Sequence, residues 1–349
     1  MSQNTSTTPA QDVDWTWIDG TSLPLEGRAY ASPDEAETPY DRLPKARKDV
    51  IPEAVWTLQK HTAGMCFRLR TDSPRLRIYW KPRFADLAMW HMPSTGVSGV
   101  DVFQHDAEIG WRYVKPPWPA PPVFAGAAYT WERIVPDAPL LVYLPLYNGI
   151  SEIRFGIEPG TRLESLPPPA EKPVVFYGTS TTQGGCVSRP SLCLTSVAGR
   201  ILDLPVVNLG FSGSGRMERE MIDVIADAEA SVYVLDTVGN VDQNGIRERY
   251  EDFVRGLRAR RPGVPIVLTA NGWIFNTRHR ESAALIRGIW QKLLAEDPAE
   301  WANLYFTGDF DGPLAVDDDG TVEGNHLNDI GSVRAGRVFA EAIREALGR

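Results

Sequence analysis

A hydroxyl, an imidazole and a carboxylate held in separate loops can make an acylating nucleophile. The imidazole takes the hydroxyl proton, and the carboxylate orients and stabilises the imidazole. Ser180 lies in Tyr177-Gly178-Thr179-Ser180-Thr181-Thr182-Gln183-Gly184-Gly185, directly after a short apolar run. A serine on a glycine-flanked turn can project its hydroxyl into a cleft, and glycine lets substrate approach the backbone. The segment is not the G-x-S-x-G elbow, because Thr182 stands where the second glycine belongs. His326 lies in Glu323-Gly324-Asn325-His326-Leu327-Asn328-Asp329, where an acid three residues earlier can face it across one turn.

Two more loops carry donors. Asn208-Leu209-Gly210-Phe211-Ser212-Gly213-Ser214-Gly215 has the spacing G-x-x-G-x-G, a poor fit to the G-x-G-x-x-G dinucleotide fingerprint. Leu235-Asp236-Thr237-Val238-Gly239-Asn240-Val241-Asp242 supplies an amide side chain. A backbone N–H near Gly213 and the Asn240 amide could jointly donate to a developing oxyanion. Each segment alone is also an ordinary polar turn or helix cap. Their joint occurrence in strand-end loops singles them out.

The elements that must position these loops change character near residue 165. A chain of 349 residues suggests about two domains. Residues 1–12 read as a polar, disordered leader. Through 13–165 the period is two: Met65, Phe67 and Leu69 alternate with Cys66, Arg68 and Arg70, and Leu76, Ile78 and Trp80 with Arg75, Arg77 and Tyr79. Similar alternation at Val100–Val102, Ile109–Tyr113, Leu141–Leu144 and Ile153–Ile157 predicts an all-β sandwich, jelly-roll-like, with no comparable helix signature. Residues 166–173, with Pro167-Pro168-Pro169 and Pro173, read as a stiff linker. In 174–349, apolar runs at Val174–Tyr177, Val206–Leu209, Val232–Leu235, Ile266–Thr269 and Leu304–Phe306 alternate with helical stripes such as Ile246, Tyr250, Phe253, Val254 and Leu257. That grammar predicts a parallel sheet covered on both faces, an α/β domain whose ligand sits beyond the strands' C-terminal ends.

Composition excludes several classes. Hydrophobic residues at 43% and charged residues at 23% fit a globular chain, and a formal net charge of −9 leaves no basic stripe for nucleic acid. No run is apolar enough to span a bilayer, and the N-terminus lacks a secretory pattern, so a soluble, cytoplasmic protein without membrane partners is expected. Three cysteines, Cys66, Cys186 and Cys193, show no metal-ligand spacing; a local Cys186–Cys193 bridge is the one pairing considered. Asp317-Asp318-Asp319 reads as a solvated acidic turn, and neither metal nor cofactor is expected.

The four loops, in order, resemble the blocks of the SGNH (GDSL-like) hydrolase superfamily over roughly Pro173 to Arg349. The resemblance implies a three-layer, flavodoxin-like domain. Ser180 would be the nucleophile, and His326 the general base and acid. The oxyanion hole would be built from the Ser180 and Gly213 backbone N–H groups and the Asn240 side chain. Two departures stand out. Thr179 replaces the usual Asp of the first block, and Glu323 replaces the usual Asp three residues before the histidine. Glu323 is favoured as the triad acid; Asp317, Asp318, Asp319 or no third member are the alternatives. Ser98-Gly99-Val100-Asp101-Val102-Phe103 and Leu144-Pro145-Leu146-Tyr147-Asn148-Gly149 are similar to the Gly-x-Asp-Leu-Tyr sandwich modules that precede such domains in bacterial esterases.

Most of the 11 tryptophans precede the linker, Trp15, Trp56, Trp80 and Trp118 among them, and read mainly as core and packing. Trp90, in loop-like Met89-Trp90-His91-Met92-Pro93, is the exception, and with Thr179 and Gly239 it is a candidate pocket residue. The expected activity is hydrolysis of a short-chain ester, acetyl foremost, of a carbohydrate or other hydroxylated small molecule. The alternatives are acyl transfer from a thioester to an alcohol, and non-catalytic carbohydrate binding. Oligomeric state is left open.

Overall fold

The computed structural model describes residues 14–116, 127–270, 277–308 and 318–349. The expected leader at 1–12, Trp118 and Asp317 lie outside them, as does the side chain of Asp318.

Alternating side chains build two antiparallel sheets. One has the order β1 (Thr16–Asp19), β8 (Ile150–Ile157), β3 (Leu76–Pro82), β6 (Ala127–Trp131). The other runs β5 (Gly110–Tyr113), β4 (Asp101–Asp106), β7 (Leu140–Tyr143), β2 (Cys66–Thr71), β9 (Leu163–Ser165). Phe67, Leu69, Ile78, Trp80, Val142 and Phe155 meet between them in one buried cluster, so period two becomes a sandwich core. After β9 the proline-rich segment leaves the sheet, though the Leu166 N–H still donates to the Arg68 carbonyl at 2.9 Å.

The second half is a parallel sheet in the order β11 (Val206–Gly210), β10 (Val174–Gly178), β12 (Val232–Asp236), β13 (Ile266–Thr269), β14 (Leu304–Thr307). Val174 and Phe176 face one layer, with α4 (Leu194–Leu202) and α8 (Asp329–Ala346). Val175 and Tyr177 face the other, with α5 (Glu220–Asp227), α6 (Gln243–Arg260) and α7 (Thr277–Glu296). The result is a three-layer, flavodoxin-like α/β domain behind a β-sandwich. No helix among the described residues is long and apolar enough to cross a membrane.

The first half also holds two short helices, α1 (Glu53–Leu58) and α2 (Ser94–Val97), where only strands are expected. Six residues are too few for a 3.6-residue stripe to declare itself. Instead α1 buries Val55 and Trp56, with Leu43 and Ile51, in the cluster that holds Val175, Leu209 and Phe211 of the parallel sheet. Packing therefore crosses the compositional boundary. Cys66, Cys186 and Cys193 are all free thiols, with no Cys186–Cys193 bridge.

Candidate active site

β10 ends at Gly178, and the chain turns at once into α3 (Ser180–Gln183), which opens on Ser180. The turn is wedged against its neighbours. A Cβ on Gly210, at the end of β11, would lie 2.2 Å from the Gln183 nitrogen, so only glycine lets the two loops approach this closely. Below α3, the Thr182 hydroxyl donates to the buried Asp236 carboxylate at 2.8 Å, and Thr269 donates to its other oxygen at 2.9 Å. Burial pushes the Asp236 carboxyl above its usual range, and the two hydroxyls oppose that shift.

His326 arrives from the far end of the chain on a short loop. Thr321 bridges Leu327, the Val322 N–H donates to the His326 carbonyl at 2.9 Å, and Asn328 caps α8 through the Ile330 and Gly331 N–H groups. The loop presents both imidazole nitrogens to partners. Nε2 lies 2.8 Å from Ser180 Oγ, and Nδ1 makes a short hydrogen bond to Glu323 Oε1, which also accepts from the His326 N–H at 3.2 Å. Glu323 thus reaches the imidazole despite its extra methylene. Asp319 is tied into the same loop by its carbonyl, which accepts from Asn328 Nδ2.

The other expected residues fall around this relay. Gly213 is exposed at φ +67°, and a Cβ there would meet nothing within 4 Å, so its backbone borders open space. Asn240 is half-buried and holds the second loop: its Nδ2 donates to the Ser214 carbonyl in a short bond and to the Phe211 carbonyl at 3.4 Å. Gly239 is exposed beside it. Thr179, expected as a pocket residue, is 1% exposed, and its N–H donates to Thr182 Oγ1 at 3.3 Å, so it belongs to the turn beneath Ser180 and not to the open face. Trp90 is 84% exposed and stacks on His91 with ring centroids 4.2 Å apart; His91 in turn lies 5.6 Å from the His326 ring. Asp101 accepts from the Ser191 N–H and hydroxyl at 3.0 and 2.5 Å, a strand-end structural role.

The sequence reading missed a buried scaffold supplied largely by the first half of the chain. Tyr147 donates its hydroxyl to the Ser180 carbonyl at 3.0 Å. Gln183 accepts from the Ser212 N–H at 2.9 Å, next to Gly213, and its amide reaches the Leu146 carbonyl and His61 Nδ1, both at 3.0 Å. Arg42, wholly buried, donates to the carbonyls of Asn208 (2.9 Å), Gly210 (2.8 Å) and Leu58 (2.7 Å), with its guanidinium 4.6 Å from the Phe211 ring centre. Burial pushes Arg42 down to about 9. Burial, then the nearby Arg42 and Arg83 charges, push His61 down to about 3, which keeps it a neutral acceptor for Gln183. Tyr147 lies in the segment already singled out as sandwich-like, which was the one available pointer.

Sequence comparison identifies two families. The GDSL-like lipase/acylhydrolase family matches residues 171–344, and the N-terminus of SGNH-hydrolase-type esterases (GxDLY) matches residues 15–163. No curated protein matches the chain. Among solved structures, one described as a GDSL-like lipase from Bacteroides ovatus is 25% identical with a TM-score of 0.84, covering 96% of this chain and 98% of that one. A salicylyl-acyltransferase from a tetracycline biosynthetic pathway is 18% identical with a TM-score of 0.68, covering 96% and 97%. A family two carbohydrate esterase from Clostridium thermocellum, in complex with cellohexaose, is 12% identical with a TM-score of 0.55, covering 81% and 92%. The last two share the fold.

Proposed function

From the premise that the chain belongs to the GDSL-like lipase/acylhydrolase family through residues 171–344, behind a GxDLY N-terminal domain, we propose that it is a serine carboxylic-ester hydrolase. Its substrates are short-chain acyl esters, acetyl foremost, of a carbohydrate or other hydroxylated small molecule. One observation carries this reading: Ser180 Oγ, His326 and Glu323 form a continuous hydrogen-bonded relay at the C-terminal end of a parallel sheet.

In this reading Glu323 accepts from Nδ1–H, which leaves Nε2 as the acceptor for the Ser180 proton. Oγ attacks the ester carbonyl as Nε2 takes that proton. The carbonyl oxygen becomes an oxyanion facing the Ser180 and Gly213 N–H groups and the Asn240 amide, whose long contact to Phe211 can be exchanged for a substrate oxygen. His326 then returns the proton to the departing alkoxy oxygen, the C–O bond breaks, and the acyl group stays on Ser180. Water repeats the sequence, losing a proton to His326 and releasing the acid. The flat, exposed Trp90 ring at the rim suits the apolar face of a sugar or another ring-bearing alcohol.

Acyl transfer to an alcohol shares every step up to the acyl-enzyme. The acyltransferase likeness concerns fold alone, so the decision rests on what accepts the acyl group. The test is hydrolysis of p-nitrophenyl acetate by wild type beside Ser180→Ala, with products of acetyl-CoA plus a small alcohol analysed in parallel. Turnover by wild type is expected to exceed that of the variant by about 10³-fold or more. Equal turnover would overturn the nucleophile, and acetylated alcohol in place of free acetate would overturn hydrolysis.

A further inference from the structure

We propose that His91, Cys186 and His326 form a binding site for a thiophilic divalent cation, zinc above all, whose occupancy switches the active site off. The three residues come from distant segments: the Met89–Met92 hairpin of the first half, the loop after α3, and the loop before α8. That distance is why no ligand spacing is visible in the sequence. One potential ligand atom from each lies within 4.8 Å of the others. Zinc bonds of about 2.0–2.3 Å put tetrahedral ligands about 3.3–3.8 Å apart, so closure asks for about an ångström of side-chain movement.

Three features make this more than proximity. His91 Nδ1 is buried and has no hydrogen-bond partner, and a nitrogen of the same ring is the potential ligand atom grouped with the thiol and the second imidazole. The hairpin is held in place, because Met92 shares a buried cluster with Cys186 and Val97. The donor set is two imidazoles and a sulfur, which favours zinc or copper over magnesium or calcium. On binding, the Cys186 thiol loses its proton to solvent as the sulfur–metal bond forms, while the neutral imidazoles supply lone pairs without changing charge.

The consequence for turnover follows from the relay and rests on the reading of His326 as base. Both nitrogens of His326 are already engaged, Nε2 with Ser180 and Nδ1 with Glu323. Whichever nitrogen binds the cation, one of those hydrogen bonds breaks. The cation is therefore an inhibitor, and it also pins the hairpin to the catalytic domain.

The test uses the full chain as wild type, Cys186→Ala and Cys186→Ser. Cobalt(II) titration, followed by absorbance, reads thiolate coordination without any reference to activity. Zinc titration of p-nitrophenyl acetate hydrolysis, with and without chelator, reads inhibition. Wild type is expected to give a thiolate-to-cobalt band and chelator-reversible zinc inhibition. Both Cys186 variants should keep basal turnover, lose the band and need on the order of tenfold more zinc. Cys66 and Cys193 remain in them, so the lost band reports Cys186. No band in wild type, or a band unchanged in both variants, overturns the site even if the chain proves inactive on esters. A Cys186-dependent band without inhibition overturns the part of His326.

Discussion

Glu323 stands exposed on its loop, whereas Arg42, Gln183 and Asn208, which hold the loops around Ser180, have no exposed surface. The two regions divide the work. In the proposed reaction the relay must meet ester and water, which suits its place at the rim, where hydrogen bonds compete with solvent. The scaffold must fix backbone positions to fractions of an ångström, so its donors are placed where the dielectric is low and each bond is stronger. Much of that scaffold comes from the first half of the chain, through Arg42, His61 and Tyr147. The sandwich side is thus a structural part of the site.

The contrast can be broken first at the rim. Glu323→Gln should lower kcat by about 10²–10⁴-fold, as loss of the orienting carboxylate does in other triads, with the melting temperature nearly unchanged. A large loss of stability with intact kcat would invert the assignment. Arg42→Met works in the opposite direction. It removes the guanidinium from the carbonyls of Asn208, Gly210 and Leu58, of which Leu58 keeps the His61 N–H, and should destabilise the fold by about 3 kcal/mol in denaturant titration. A variant as stable as wild type would show that the buried guanidinium holds nothing.

His61 sharpens the same contrast through pH. Its imidazole titrates near 6.5 when unfolded and only at about 3 when folded. Between those values the unfolded chain binds more protons, so stability is lost as pH falls below about 6.5, by up to about 1.4 kcal/mol per pH unit for this group. His61→Gln should flatten the slope of unfolding free energy between pH 6 and 4, and an unchanged slope would exclude His61 as its source. The smallest effect is expected from Tyr147→Phe, which removes one hydrogen bond to the Ser180 carbonyl. A loss of about 1 kcal/mol and a modest fall in kcat at constant KM are expected from thermal melts and steady-state kinetics.

What could be read in the sequence follows from the same division. Val174–Tyr177 and its counterparts announce themselves because strands buried on both faces must be apolar throughout, and Ser180, Glu323 and His326 stand out because acyl chemistry tolerates few residue types. Arg42 and His61 give no such signal, since the carbonyls of Asn208 and Gly210 that hold Arg42 lie more than 160 residues away, and the Gln183 amide that meets His61 lies more than 120 residues away. Helix α1 is too short to show a period and is held by contacts to the other half. Thr179 is a pocket candidate in the sequence, but it is buried in the turn underneath Ser180.

Labelling with a fluorophosphonate probe, followed by peptide mass mapping, interrogates the nucleophile most directly. A single covalent adduct is expected on Ser180 of folded wild type, absent from Ser180→Ala and slowed when Glu323 is replaced by Gln. An adduct on another residue, or none on well-folded wild type, would contradict the serine relay.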